Sequence, residues 1–573
     1  MNWQIEDAAV LIIYVLIIVF LSVKFKAKHW EEVFISRKKL QWWIAGASIL
    51  MFWWNPANDM MMMGILIEEG YVGSWLVHNK LIAVGIAPII FAPLWARLKF
   101  VSDNHFILFR FSGVGAKVLH QFRALYVGYV VVVFLSSFGI IGMSKMLITV
   151  FDLSYENSLL ISFSILALYL LKNTFKQKVR TDILHAFIYL ATLVITCMFI
   201  FNEFGGFGGI LSDLKQNYEN QIKLVPESTS FGEDGMLSTF LVFVLVQWWS
   251  TNVLDSSSPE AQRYMSTGNS REAFMAAFFP VIVGVFIMFF VSLIQDTLML
   301  SYLKQDSMPD SESWYIEGTL SYLPSGFRML ALIAFMAGFI TTIEAFINWG
   351  ASFLVDYYRT YVKKVESVNY QKISYMSMYL ILSSAILVVI FNDSLLSLQK
   401  LIFSISAGVG PVFVLRWFWW RVNAWAQLSA MFSSLFFALS FDLAYENSLV
   451  FQTFIDDISG MMSIGYFPLK LVVLTILVTF SWITVMYMTP ADDTAILKRF
   501  VKQVQPGGIW PKHWQSGAVK LSKKLFLAIL YAIINILPIF FIWEFKYGVW
   551  WKAVGLLTLF FILIVYILRR IKT

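Results

Sequence analysis

WWIAGASILMFWWNPANDMMMMG, residues 42–64, is the stretch whose reading decides the fold. It is apolar, then interrupted by Asn55-Pro56-Ala57-Asn58-Asp59, then apolar again. Proline removes an amide hydrogen and disfavours helix at the residue before it. Carbonyls between Met51 and Trp54 therefore lose their helical donors and become free to bind a ligand. Unwound backbone at membrane depth is tolerated only where protein or a water-filled site covers it. A discontinuous helix of this kind points to the binding site of a transporter. The simpler reading is a plain proline kink. Met60–Met63 bring copper to mind, but successive helix side chains splay by about 100°. Four in a row cannot converge on one ion, so they suit adaptable packing.

The rest of the chain supplies the membrane. Of 573 residues, 59% are hydrophobic and only 14% charged, which describes a polytopic membrane protein. The acidic start MNWQIED makes the first apolar run a retained span and not a signal peptide. A single cysteine, Cys197, excludes an internal disulfide and a cysteine-based metal site. About fifteen membrane helices are expected. With the N-terminus outside, the segments due to face the cytoplasm carry 33 of the 43 Lys and Arg residues. That is the positive-inside bias, so the net charge of +7 is an orientation signal and not a nucleic-acid surface.

A second interruption lies in QWWSTNVLDSSSPEAQRYMS, residues 247–266, where the apolar pattern fails from Ser250 to Pro259. Five spans separate the two breaks. An odd number of helices per set places two copies upside down relative to each other, with the site where the broken helices cross. Residues 41–203 and 236–421 are then the two five-helix repeats of a ten-helix core. Residues 1–40 hold an extra span and a cytoplasmic loop, and 422–573 hold additional spans. Asn55, Asn58, Asp59, Asn252 and Asp255 are expected to line one central cavity. His78 and Asn79 join them as candidate solute contacts, and Lys80 either snorkels to the interface or lines the pocket.

The run 329–359 forms one long helix in which Gly338, Thr341 and Thr342 share a face. Two hydroxyl oxygens beside a close-approach glycine suit a hard monovalent cation. The plainer reading has each Thr bonding the carbonyl four residues back. Glu344 projects near these hydroxyls, and a charge buried there needs a partner. It completes a second cation site, carries a proton, or pairs with a base such as Lys80 or Arg180. Both bases sit near span ends, so ion or proton binding is preferred, with a neutral or cationic solute. Asp182 either caps its helix or serves as counter-charge to a leaving cation. FDLSYENSL at 151–159 and FDLAYENSL at 441–449 differ at one position. The loop 491–524 carries no motif.

WWIAGAS before the break, VRTDILHAF, PEAQRYMSTGNSREA and above all TTIEAFINWGASFLVDYYR resemble the solute:sodium symporter family, from about Trp42 to Arg421. The resemblance implies the leucine-transporter-like fold and sodium-coupled uptake of a small polar organic solute by alternating access. It implies a bacterial branch and an inner-membrane location, with no enzyme activity, no organic cofactor and no obligate protein partner. It also implies a sodium site made of the carbonyls of Met51, Trp54 and Gly338 and the hydroxyls of Thr341 and Thr342. Asp182 matches the family's carboxylate near the cytoplasmic exit. Glu344 stands where the branch has serine, at a position that helps form a second sodium site in some members. Family glutamine and glutamate residues that bind sugar have no counterparts at Asn58 and Lys80. Proton coupling, or a sensor or channel on the same scaffold, are the competing readings.

Overall fold

The computed structural model describes residues 4–22, 29–36, 40–98, 100–170, 174–201, 204–226, 236–251, 254–305, 309–362, 369–514 and 521–571. Helix dominates; among the described residues the extended pairings are two isolated bridges, Leu40–Thr267 and Trp419–Ile509. The helices that build the molecule are α1 (Ile5–Ser22), α2 (Trp42–Trp53), α3 (Pro56–Glu68) and α4 (Gly70–Trp95). Next come α5 (Gly113–Phe151), α6 (Tyr155–Leu170), α7 (Phe175–Ile200), α8 (Met236–Ser250) and α9 (Pro259–Ser266). They are followed by α10 (Ser270–Leu303), α11 (Phe327–Tyr357), α12 (Tyr370–Ile390), α13 (Leu395–Ser406) and α14 (Gly410–Phe418). The last are α15 (Ala424–Asn447), α16 (Tyr466–Met488), α17 (Leu521–Lys546) and α18 (Trp550–Ile571).

Among the described residues, ten helices are long and apolar enough to cross a membrane, or eleven if α13 and α14, bent by 45°, count as one span. The expected count of about fifteen is not confirmed by this number. Of the other expected spans, α2, α6 and α8 are apolar but short, and α1, 18 residues long, is also outside that count. At a rise of 1.5 Å per residue, a 12-residue α2 covers about 18 Å of a hydrocarbon core about 30 Å thick. It crosses only together with α3, on the far side of its break.

Small residues let the central helices touch. A Cβ on Gly128 of α5 would lie 2.5 Å from Phe353 Cβ, and one on Gly350 of α11 would lie 2.8 Å from Val132 Cγ1. Lipid tails are as apolar as the helices, so close backbone approach is what draws membrane helices together. The apolar core falls into two clusters, and the first broken helix is shared between them. Met60–Met63 of α3 join one, whereas Ala45 and Ile49 of α2 join the other. The loop without a motif also folds: the helix Thr494–Val504 buries Leu497, Phe500, Val501 and Val504. Phe500 there packs on Phe106, Trp417 and Trp510.

Candidate functional site

At the first break the helical ladder stops with Trp54 N–H donating to the Leu50 carbonyl at 3.0 Å. It resumes with Asn58 N–H donating to Asn55 at 2.8 Å. Trp54, at φ −93° and ψ 87°, is out of helix. Asn55 caps α3, its side-chain oxygen accepting from Ala57 N–H at 3.1 Å, and Pro56 takes the first helical position. Both residues suit those positions, since the amide that proline lacks would have no partner there. Carbonyls of Met51 to Trp54 fall in the gap; Asn58 Nδ2 donates to that of Trp53 at 3.4 Å. α11 presses directly on this gap, because a Cβ on Gly338 would lie 2.5 Å from Pro56 Cδ.

The second break follows a π-helical turn, Phe243–Gln247, inside α8. Ser256 turns the chain with φ +56°, and Ser258 caps α9 by accepting from Glu260 N–H at 3.3 Å. The breaks meet through side chains. Trp53 Nε1 donates to Glu260 Oε1, and Ser258 Oγ donates to Glu260 Oε2 at 2.8 Å.

Between them lies a cavity of about 510 Å³, within the range of small-molecule sites. Trp54, Asn55, Asn58 and Asp59 line it from the first break. Thr251, Ser256, Ser258 and Glu260 line it from the second, and Gln295, Gln399, His78 and Lys80 add further polar groups to the lining. Asp59 accepts from the Tyr189 hydroxyl at 3.2 Å and from Tyr315. His78 Nδ1 lies 3.0 Å from Ser74 Oγ, and Lys80 Nζ sits 5.4 Å from the centre of the Phe403 ring.

Two expected cavity residues stand elsewhere. Asp255 is fully buried against Arg416, whose Nη2 donates to it at 2.6 Å, and against Trp417 Nε1 at 2.7 Å. A carboxylate with two such donors is already satisfied, so it locks the second break to α14 and is not part of the cavity wall. Asn79 turns its amide back onto the carbonyls of Trp75 and Leu76, at 2.8 and 2.9 Å, and also stays off the wall. Asn252 lies outside the described residues.

On α11 the two threonines differ. Thr342 lines the cavity, and its buried hydroxyl has no hydrogen-bond partner among the described residues. Thr341 Oγ1 lies 2.9 Å from His185 Nδ1, and His185 Nε2 lies 3.1 Å from the Tyr14 hydroxyl of α1. Neither follows the plain pattern of bonding its own helix. Glu344 pairs with Lys178 of α7, and both Lys80 and Arg180 are displaced as its candidate partner. Lys178 lies one turn before Asp182 and is buried, whereas Arg180 of the same helix is exposed. Asp182 accepts from Ser48 Oγ, which in turn accepts from Arg263 Nε at 2.9 Å. Lys178, Asp182, Arg263 and Glu344 are thus two acids and two bases in electrostatic contact.

Glu260 and Gln295 were legible only in part. Gln295-Asp296 interrupts an apolar run, which marks an intramembrane polar site by itself. Glu260 follows a Ser-Pro helix start, and nothing local says that it meets Trp53.

Residues 33–433 match the sodium:solute symporter family. Among solved structures, the chain is similar to a Na+-coupled sialic acid symporter in a substrate-bound outward-open state, with TM-score 0.64 and 16% identity, covering 86% of this chain and 100% of that one. It is also similar to Mhp1, a nucleobase-cation-symport-1 family transporter in a closed conformation with bromovinylhydantoin bound, with TM-score 0.50 and 10% identity, covering 82% and 97%. No curated protein matches the sequence.

Proposed function

This chain belongs to the sodium:solute symporter family, and on that premise we propose that it imports a small polar organic solute on the sodium gradient by alternating access. The observation that carries the reading is the Thr342 hydroxyl, buried beside the first broken helix and without a partner among the described residues. An unpaired buried hydroxyl costs free energy; a cation supplies what it lacks. Gly338, in contact with Pro56, brings α11 close enough for its oxygens and the carbonyls of Met51 and Trp54 to share one ion. Thr341 fits the same set if it donates its proton to His185 Nδ1, which leaves both oxygen lone pairs for the cation. The ring proton then sits on Nε2 and points to Tyr14.

Glu344 enters the scheme as a neutralised group. Lys178 occupies the place of a second cation with a tethered ammonium, which favours one coupling sodium. Asp182 stands beside Ser48, midway along α2, and serves in this scheme as a counter-charge along the ion's exit. The solute takes the cavity between the breaks, against Asn55, Asn58, Asp59 and Glu260. The scheme assigns residues 41–203 and 236–421 to inverted five-helix repeats, in a bacterial inner membrane with the N-terminus outside and the C-terminus in the cytoplasm.

The test is uptake of labelled sugars, amino acids and carboxylates into proteoliposomes, with and without a sodium gradient. Replacing both Thr341 and Thr342 by Ala removes two of about five oxygen ligands, at several kcal/mol of ion affinity. The double variant should fold and lose sodium-dependent uptake; sodium dependence equal to the parent's rejects the site. The hydrogen-bonded series Tyr14–His185–Thr341 favours one rival, proton coupling. That reading requires uptake driven by a pH gradient in sodium-free vesicles.

A further inference from the structure

The matched family segment ends at residue 433, yet part of the cavity wall comes from beyond it. Ile539, Ile542, Trp543 and Lys546 of α17 all face the same space as the two breaks. α17 reaches that position by packing on α4, where a Cβ on Gly85 would lie 2.5 Å from Ala532 Cα. Contact this close fixes the helix against the bundle. Two polar anchors hold its end. Trp543 Nε1 donates to the Ile222 carbonyl at 2.7 Å. Lys546 Nζ lies 2.7 Å from Asp296 Oδ2 of α10 and 2.9 Å from the Tyr71 hydroxyl, which donates to Asp296 Oδ1 at 2.5 Å.

Lys546 and Asp296 are almost fully buried, with side chains 1% and 2% exposed. A buried ion pair is on balance a weak source of stability against apolar residues of the same size. What it does supply is geometry, since an ammonium between a carboxylate and a phenol has few alternative placements. Here that geometry holds Trp543, an indole, in the wall of the cavity.

We propose that α17 is a wall of the solute site, that Trp543 sets the size of solute admitted, and that Lys546 positions this wall by its bond to Asp296. The proposal rests on reading the cavity as the solute site, but its test needs neither a known solute nor sodium. In a Cys197→Ala background, Asn58→Cys places a thiol in the cavity lining on the first broken helix. Detergent-solubilised protein is treated with two charged methanethiosulfonate reagents, one small and one carrying a bulky fluorophore. With Trp543 intact, the small reagent should react at least tenfold faster than the bulky one. Trp543→Ala should reduce that ratio by tenfold or more, and an unchanged ratio overturns the assignment.

A direct arm places the thiol on α17 itself. Trp543→Cys, or Ile542→Cys if the first does not fold, should react at least tenfold faster than Ile529→Cys on the exposed side of the same helix; equal rates overturn the wall. Adding Lys546→Met to Trp543→Cys should shift the thiol's rate severalfold, and Lys546→Arg should restore it. A merely structural lysine would move the rate at Asn58→Cys equally. If no solute is taken up with sodium, the uptake experiment fails while these rates still decide the wall.

Discussion

Lys178 and Glu344 show how one partner changes what a residue can do. Alone, a carboxylate among the α11 hydroxyls invites a second cation; with Lys178 beside it, the charge is already met. Glu344→Gln removes the carboxylate paired with Lys178 and leaves Asp182 as one acid for two buried bases; breaking a buried pair costs about 3–5 kcal/mol. The expected outcome is a large loss of thermal stability in detergent. Lys178→Met with Glu344→Met removes both charges and should recover most of that loss. If Glu344→Gln is as stable as the parent, the pair does not exist in the folded protein. Sodium activation of uptake in the double variant should keep a Hill coefficient near that of the parent.

Single elements show the same dependence on small differences. FDLSYENSL and FDLAYENSL fold differently. In the first, α5 ends at Phe151, Asp152 takes φ +53°, and α6 begins at Tyr155. Ser154 Oγ accepts from Asn157 N–H at 3.3 Å, the bond of an N-cap. Ala444 has no such oxygen, and α15 runs through to Asn447, with Ser448 capping the next helix instead. One hydroxyl coincides with the difference between a turn and continued helix. Glycines act at the same scale. Gly338→Ala would put a methyl 2.5 Å from the rigid Pro56 ring, an overpacking of about 1–3 kcal/mol. It should raise the sodium concentration for half-maximal uptake roughly tenfold, in line with about 1.4 kcal/mol per tenfold. Gly284→Ala, whose methyl would meet Trp54 Nε1 at a comfortable 3.7 Å, should leave that concentration unchanged. Equal effects from the two would separate the α11 contact from ion binding.

Over the whole molecule, ion binding is a stability term. A ligand held only by the folded state stabilises it by about 2.7 kcal/mol at a hundred times its dissociation constant. Sodium should therefore raise the melting temperature of the purified protein where potassium does not, with no solute present. The shift should vanish in the Thr341→Ala, Thr342→Ala double variant and persist in Trp543→Ala. An equal response to both ions would remove sodium from the scheme. The sequence alone determined the helical membrane architecture and both breaks, because hydrophobic runs, proline and capping residues act within one or two turns of where they stand. It also marked the face of α11 that carries Gly338, Thr341 and Thr342. Only the tertiary structure decided which polar groups share the cavity: Glu260 and not Asp255, Lys178 and not Arg180 for Glu344, and α17 from far along the chain. Those outcomes depend on which helix faces which across more than a hundred residues of sequence, and no local pattern encodes that.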